Sequence, residues 1–149
     1  MAKGTQRTAY RGIFMKVIYF THCCARKDDS LKGKESNVTP LQLYKATPTQ
    51  RFMKRCIEMN VDWAIFSDKH GFVFPDDRIQ WYEKHPDTVT ETEKTLLFAR
   101  ASDVLRLYDI AYFYYNPGRF HPLYEEFLEE MIRKGRDIRK ITHLDDIPR

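Results

Sequence analysis

Cys23, Cys24 and Lys27 stand together directly after an apolar run, Lys16-Val-Ile-Tyr-Phe-Thr21. Thiols and an amine where a turn leaves a buried strand can enter a pocket, and a nearby ammonium favours the thiolate. The chemistry would be nucleophilic attack by Cys24, or ligand binding and proton transfer by Lys27. The structural alternative is that Cys23 packs as a small hydrophobe, Cys24 holds the turn and Lys27 is a solvated loop charge. A second group, Ser67-Asp68-Lys69-His70-Gly71, is followed by Phe72, Phe74, Trp81 and Tyr82. Acid-base residues beside aromatics suit a stacked base while Asp68 or His70 moves a proton. The aromatics can equally serve to pin a long loop to the sheet edge. A third group, Asn116-Pro-Gly118-Arg119-Phe-His121, precedes a helix. Helix-end amides favour an anion there, and Arg119 can fork onto phosphate or carboxylate. The segment lacks P-loop spacing, and a simple turn before Pro122 explains it as well.

Metal chemistry has less to build on. His22, Cys24, His70, His121, His143 and Asp145 are suitable ligand types, but no pair has an established ligand spacing and no CxxC exists, so no metal and no cofactor are expected. Three cysteines, two of them adjacent, make a poor disulfide framework and point to reduced thiols.

These groups need elements to position them. The runs 16–21, 63–67 and 110–115 read as buried strands, and Ile138–Thr142 as a polar edge strand. Between them, Phe52, Met53, Cys56 and Ile57 repeat at helical spacing, as do Leu97, Ala101, Val104, Leu105 and Tyr108. Thr90-Glu-Thr-Glu93 has capping-box spacing and should open the second helix. A third helix is expected over 121–134, with Glu125 and Glu126 early, Arg133 and Lys134 late, and Gly135 as its stop. The order βαβαβαβ predicts a three-layer α/β domain: a mostly parallel four-stranded sheet, order 2-1-3-4, with helices on both faces. All three polar groups then lie at one sheet edge, where ligands bind near a switch point, and Lys27 and Arg119 should share one cavity. Residues 25–40 and 68–89 are expected as functional or mobile loops.

The chain has 149 residues, with 25 Lys and Arg against 21 Asp and Glu. Lys3, Arg7, Arg11 and Lys16 account for the excess and residues 17–149 balance, so residues 1–12 are expected as a basic flexible tail on a nearly neutral domain spanning 13–149. A neutral domain lacks the all-over footprint of a non-specific duplex binder. No leader-type apolar stretch and no run of roughly 18 apolar residues is present, so a cytoplasmic protein without membrane contact is expected.

Cys23-Cys24-Ala25-Arg26-Lys27, with Ser30-Leu31 after it, resembles the Cys-Ser-x-x-Lys segment of a widespread prokaryotic α/β family known mainly as a domain of unknown function. Leu43-Tyr44 and Trp63-Ala-Ile-Phe-Ser67-Asp-Lys-His-Gly71-Phe-Val are similar to that family's Leu-Tyr and Trp-x-Ile-Leu-Ser-Ala-x-Tyr-Gly-Leu segments, so the likeness covers 16–82. More distantly, the first segment looks like the Pro-Cys-Ser-x-x-Lys-Pro-Tyr-Ser stretch in the catalytic domain of archaeosine synthase. That enzyme joins lysine to the nitrile of a deazaguanine base in tRNA, and its domain is related in fold to uracil-DNA glycosylases. Cys23, Lys27 and Ser30 match; Cys24 replaces the serine, and Asp28-Asp29 replace Pro-Tyr. The resemblance implies a base or nucleotide pocket.

The expected function is binding of a nucleobase, nucleotide or nucleic-acid element (free nucleotide, tRNA or DNA), with base-directed chemistry by Lys27 and Asp68. His22, Cys23, Ser30, Ser67, His70, Asn116, Gly118 and Arg119 are the expected binding residues. Two alternatives stand beside it. One is a non-catalytic nucleic-acid-binding module using residues 22–55, with eight Lys or Arg against three Asp or Glu. The other is a small-molecule hydrolase or transferase with Cys24 as nucleophile.

Overall fold

A computed structural model describes residues 7–10, 13–116 and 120–149. The chain forms strands β1 (Arg7–Tyr10), β2 (Ile13–His22), β3 (Trp63–Ser67), β4 (Gly71–Val73), β5 (Ile110–Tyr114) and β6 (Ile138–Ile141). Its helices are α1 (Pro40–Leu43), α2 (Thr47–Met59), α3 (Glu91–Leu105) and α4 (Pro122–Arg133). Five strands run in the order β4-β3-β2-β5-β6, and β1 pairs separately with β2. The sheet is mixed: β3, β2, β5 and β6 are parallel, while β4 is antiparallel to β3 and β1 to β2.

This corrects the four-stranded sheet of order 2-1-3-4. The missed fifth strand, β4, has only three residues and begins one tight turn after β3, which is too short to show a periodic signal. The turn needs Gly71, whose φ of +72° an L residue rarely adopts. Within the segment read as a tail, Arg7–Tyr10 pair in register with Ile13–Lys16.

Alternation on the strands explains how both faces are covered. Phe66 and Phe20 meet Phe127 of α4, and Phe127 also meets Phe98 of α3. Trp63 and Tyr114, on the opposite face, meet Phe52 of α2. Helix α2 buries Phe52, Met53 and Cys56, while Ile57 is half exposed. Helix α3 opens with the Thr90–Glu93 capping box, and α4 is capped by His121. The long segments are anchored rather than loose: Val38 and Ile79 bridge each other, and Phe72 packs against Phe20, Phe66 and Phe127. Among the described residues no helix is long and apolar enough to cross a membrane.

Candidate functional site

Parallel β2 and β3 deliver Cys23 and Asp68 side by side, because the Cys23 amide continues the ladder onto the Phe66 carbonyl at 2.9 Å. The Cys23 thiol donates to Asp68 Oδ1 at 3.6 Å, so the Tyr124 hydroxyl, 3.3 Å from the same sulfur, is the donor to it. Burial, then the Asp68 charge, push the Cys23 thiol up to about 11. Cys23 is therefore a buried thiol, not a thiolate. Burial also raises Asp68, against the opposing pull of the Cys23 bond and the Lys27 charge. Asp68 Oδ2 is shut off from solvent with no hydrogen-bond partner. A buried carboxylate oxygen in that state is unusual and is a place where a ligand donor can bind.

Lys27 is placed by an antiparallel bridge to Tyr44, flanked by Asp28 N–H to Leu43 C=O and Lys45 N–H to Arg26 C=O, both 2.9 Å. It is only 7% exposed, so the solvated-loop alternative is corrected. Its ammonium donates to the Cys24 carbonyl at 3.2 Å and lies 4.5 Å from the Tyr82 ring centre and 5.9 Å from that of Tyr44. Carbonyl and ring faces hold it as a cation. No carboxylate among the described residues lies within ion-pair distance, which leaves two of its N–H groups without a strong acceptor.

A hydroxyl chain lies beneath it. Ser67 Oγ accepts from the amides of Lys69 at 3.1 Å and His70 at 3.0 Å. With both lone pairs engaged, its O–H donates to Tyr82 at 2.9 Å. Tyr82 and Tyr44 share a further bond at 2.6 Å, in which either hydroxyl can donate, so the three hydroxyls form one buried network. Tyr44, Tyr82 and Tyr124 all titrate above their ordinary value, mainly through burial and then the neighbouring Cys23. They are neutral hydroxyls.

The remaining expected residues divide. His22 donates from Nδ1 to the Cys23 carbonyl at 2.8 Å and stacks on Tyr124 and Phe120. Burial lowers its pKa, so it is neutral. His70 is exposed, meets the Tyr82 ring edge-on at 4.9 Å and is also lowered by burial and by Lys69. Cys24 donates to the Arg26 carbonyl at 3.2 Å, holding the turn. Ser30 is exposed and bonded to Asp28 at 2.7 Å, outside the cluster. Asn116 is exposed after β5, and Gly118 and Arg119 lie outside the described residues, as does the expected Lys27–Arg119 cavity. Tyr44, Tyr82 and Tyr124 were missed as site members. Leu43-Tyr44 and Trp81-Tyr82 carried a signal, as aromatics near the rim; Tyr124 carried none beyond its place in an amphipathic helix.

One group among the described residues has spacing that could hold a metal: His85, Asp87 and His121, whose ligand atoms lie within 4.8 Å of one another. Sequence reasoning passed over His85. Both histidines accept a backbone N–H at Nδ1, from Asp87 and Leu123 respectively. Each therefore carries its hydrogen on Nε2, and His121 Nε2–H donates to Asp87 at 2.6 Å. A metal at that nitrogen would displace this hydrogen and break the α4 cap, so the geometry is that of a clasp between 85–88 and α4.

A cavity of about 340 Å³ opens beside the cluster, walled by the β3–β4 turn from Asp68 to Gly71, by Glu83 and Lys84, and by α3. Asp68 thus belongs both to the buried cluster and to the wall of an open cavity. No protein-family model, curated protein or solved structure matches the chain.

Proposed function

We propose that the β2–β3 rim binds a nucleobase or a nucleotide. The observation that carries this is a buried carboxylate oxygen without a donor, Asp68 Oδ2, beside a buried ammonium, Lys27, whose one hydrogen-bond acceptor among the described residues is the Cys24 carbonyl. A ligand that matches them presents N–H beside C=O, as the edge of a base does. Asp68, raised by burial, is suited to hold or pass a proton, which extends the proposal to base-directed chemistry with Lys27 as the cation facing developing negative charge. The reading agrees with the motif resemblance at Cys23 and Lys27, and departs from it at exposed Ser30.

Two observations favour a pocket over a non-catalytic basic patch on 22–55. Lys27 is buried, and Arg55 is bonded to the carbonyls of Leu144 and Ile147 at 3.1 and 2.9 Å. Mass spectrometry of nucleosides and nucleotides released from the purified protein, followed by titration of the recovered compound, tests the reading. The expected result is saturable binding weakened at least tenfold by Asp68→Asn, about one lost charge-assisted hydrogen bond. Binding of nucleic acid alone, with steep salt dependence and no effect of Asp68→Asn, would refute it.

A further inference from the structure

We infer that the cavity between the β3–β4 turn and α3 is the phosphate subsite of this protein, with Lys69 and Arg100 as the residues that hold the anion. The inference rests on the nucleotide reading above and adds the end of the ligand that the buried cluster does not address.

The cavity wall carries three cations, Lys69, Lys84 and Arg100. Lys84 is engaged: it pairs with Glu93 at 3.2 Å and donates to the Thr88 carbonyl. Glu93 is engaged in turn, as the capping-box partner of Thr90. Lys69 and Arg100 are exposed and have no ion pair among the described residues. The Lys69 ammonium lies 5.5 Å from the Tyr82 ring centre, which places that charge at the border of the cavity and the buried cluster. Arg100 stands one helical turn beyond Leu96 on α3, and both line the cavity. Two cations without an ion pair among the described residues, lining one cavity with the buried Asp68, define a ligand that carries an anion and an N–H donor. A nucleotide has both groups.

Backbone amides play no part, since those of Lys69 and His70 are held by Ser67 Oγ. The phosphate would be bound by side chains alone, a planar guanidinium fork from Arg100 and a point charge from Lys69. Glu83, exposed in the same lining, opposes the anion.

The test is calorimetric titration of the full chain with the four common nucleoside 5′-monophosphates, their parent nucleosides and inorganic phosphate. It is run on the wild type, on the double variant Lys69→Ala/Arg100→Ala and on Glu83→Gln. For at least one base, the monophosphate should bind about tenfold or more tightly than its nucleoside. That margin should vanish in the double variant and widen in Glu83→Gln. A nucleoside binding as tightly as its monophosphate, or a margin that survives the double variant, overturns the subsite and leaves the base reading standing. Phosphate binding that depends on Lys69 and Arg100, with no response to any nucleoside or nucleotide, keeps the anion site and overturns the base reading. Absence of binding by every probe overturns both.

Discussion

Asp68→Asn separates the cost of burying this carboxylate from everything else in the fold. The ordinary value of the group is near 3.8, and burial raises it in the folded chain. Between those two values the folded protein holds a proton that the unfolded chain has released. Wild-type stability therefore falls as pH rises through that window and stays lowered above it. Asparagine carries no such proton, so the stability difference, variant minus wild type, should climb with pH and then level off. Every tenfold by which folding tightens the hold on that proton is worth about 1.4 kcal/mol. The rise between pH 4 and pH 7.5 reads that difference in proton hold directly, and its sign is positive. For a chain of this size that corresponds to about 2–4 °C in Tm per kcal/mol. The constant offset, including the cost of the new amide N–H₂, cancels in the comparison across pH. Urea unfolding at five pH values with a common m-value measures it. A difference that is flat, or that falls with pH, would refute the reasoning, because it would mean that the carboxylate is net stabilised in its charged form, with Lys27 outweighing burial.

Two further outcomes follow from the same cluster. Lys27→Met keeps a stem between the Tyr44 and Tyr82 rings and should cost about 1 kcal/mol, whereas Lys27→Ala removes stem and ring contacts and should cost about 2–3 kcal/mol. Equal losses in urea unfolding would show that charge, not packing, dominates. With its pKa near 11, Cys23 has about a hundredfold less thiolate at pH 7.5 than an ordinary thiol, so iodoacetamide should modify Cys24 well before Cys23. Peptide mass spectrometry showing Cys23 modified at a comparable rate would contradict the buried, protonated assignment.

Much of the fold was legible because burial on both faces leaves unbroken apolar runs. Val17–Phe20, Trp63–Phe66 and Ile110–Tyr114 announce strands whatever surrounds them. The Thr90–Glu93 box is local chemistry and was legible for the same reason. Strand β4 was not, since three residues with one partner on one side make no pattern. Burial of Lys27 was also illegible. It depends on Tyr44 and Tyr82, which are 17 and 55 positions away in sequence and meet the lysine only after the segment 38–45 has bridged back onto it. Polar character marked the rim as a place to look, but it gave no warning that the side chains packed around Lys27 would be tyrosines. Phenol side chains read as core, and only the buried hydroxyl network linking Ser67, Tyr82 and Tyr44 distinguishes these two from packing residues.

Strand β2 sits at the centre of the sheet, with β3 on one edge and β5 on the other. During synthesis those edges become satisfied at different times. The contact that pins the second edge, Thr21 Oγ–H to the Tyr114 carbonyl, closes a loop of 93 residues. At about 5–20 residues per second, a ribosome needs about 5–20 s to deliver it. Throughout that interval a nascent chain that has already paired β2 with β3 still presents the open edge of Val17–Phe20, an apolar template for a neighbouring polypeptide. The demand for chaperone cover is therefore greatest while α3 is emerging, and slowing translation over residues 91–109 should lower the soluble yield rather than raise it.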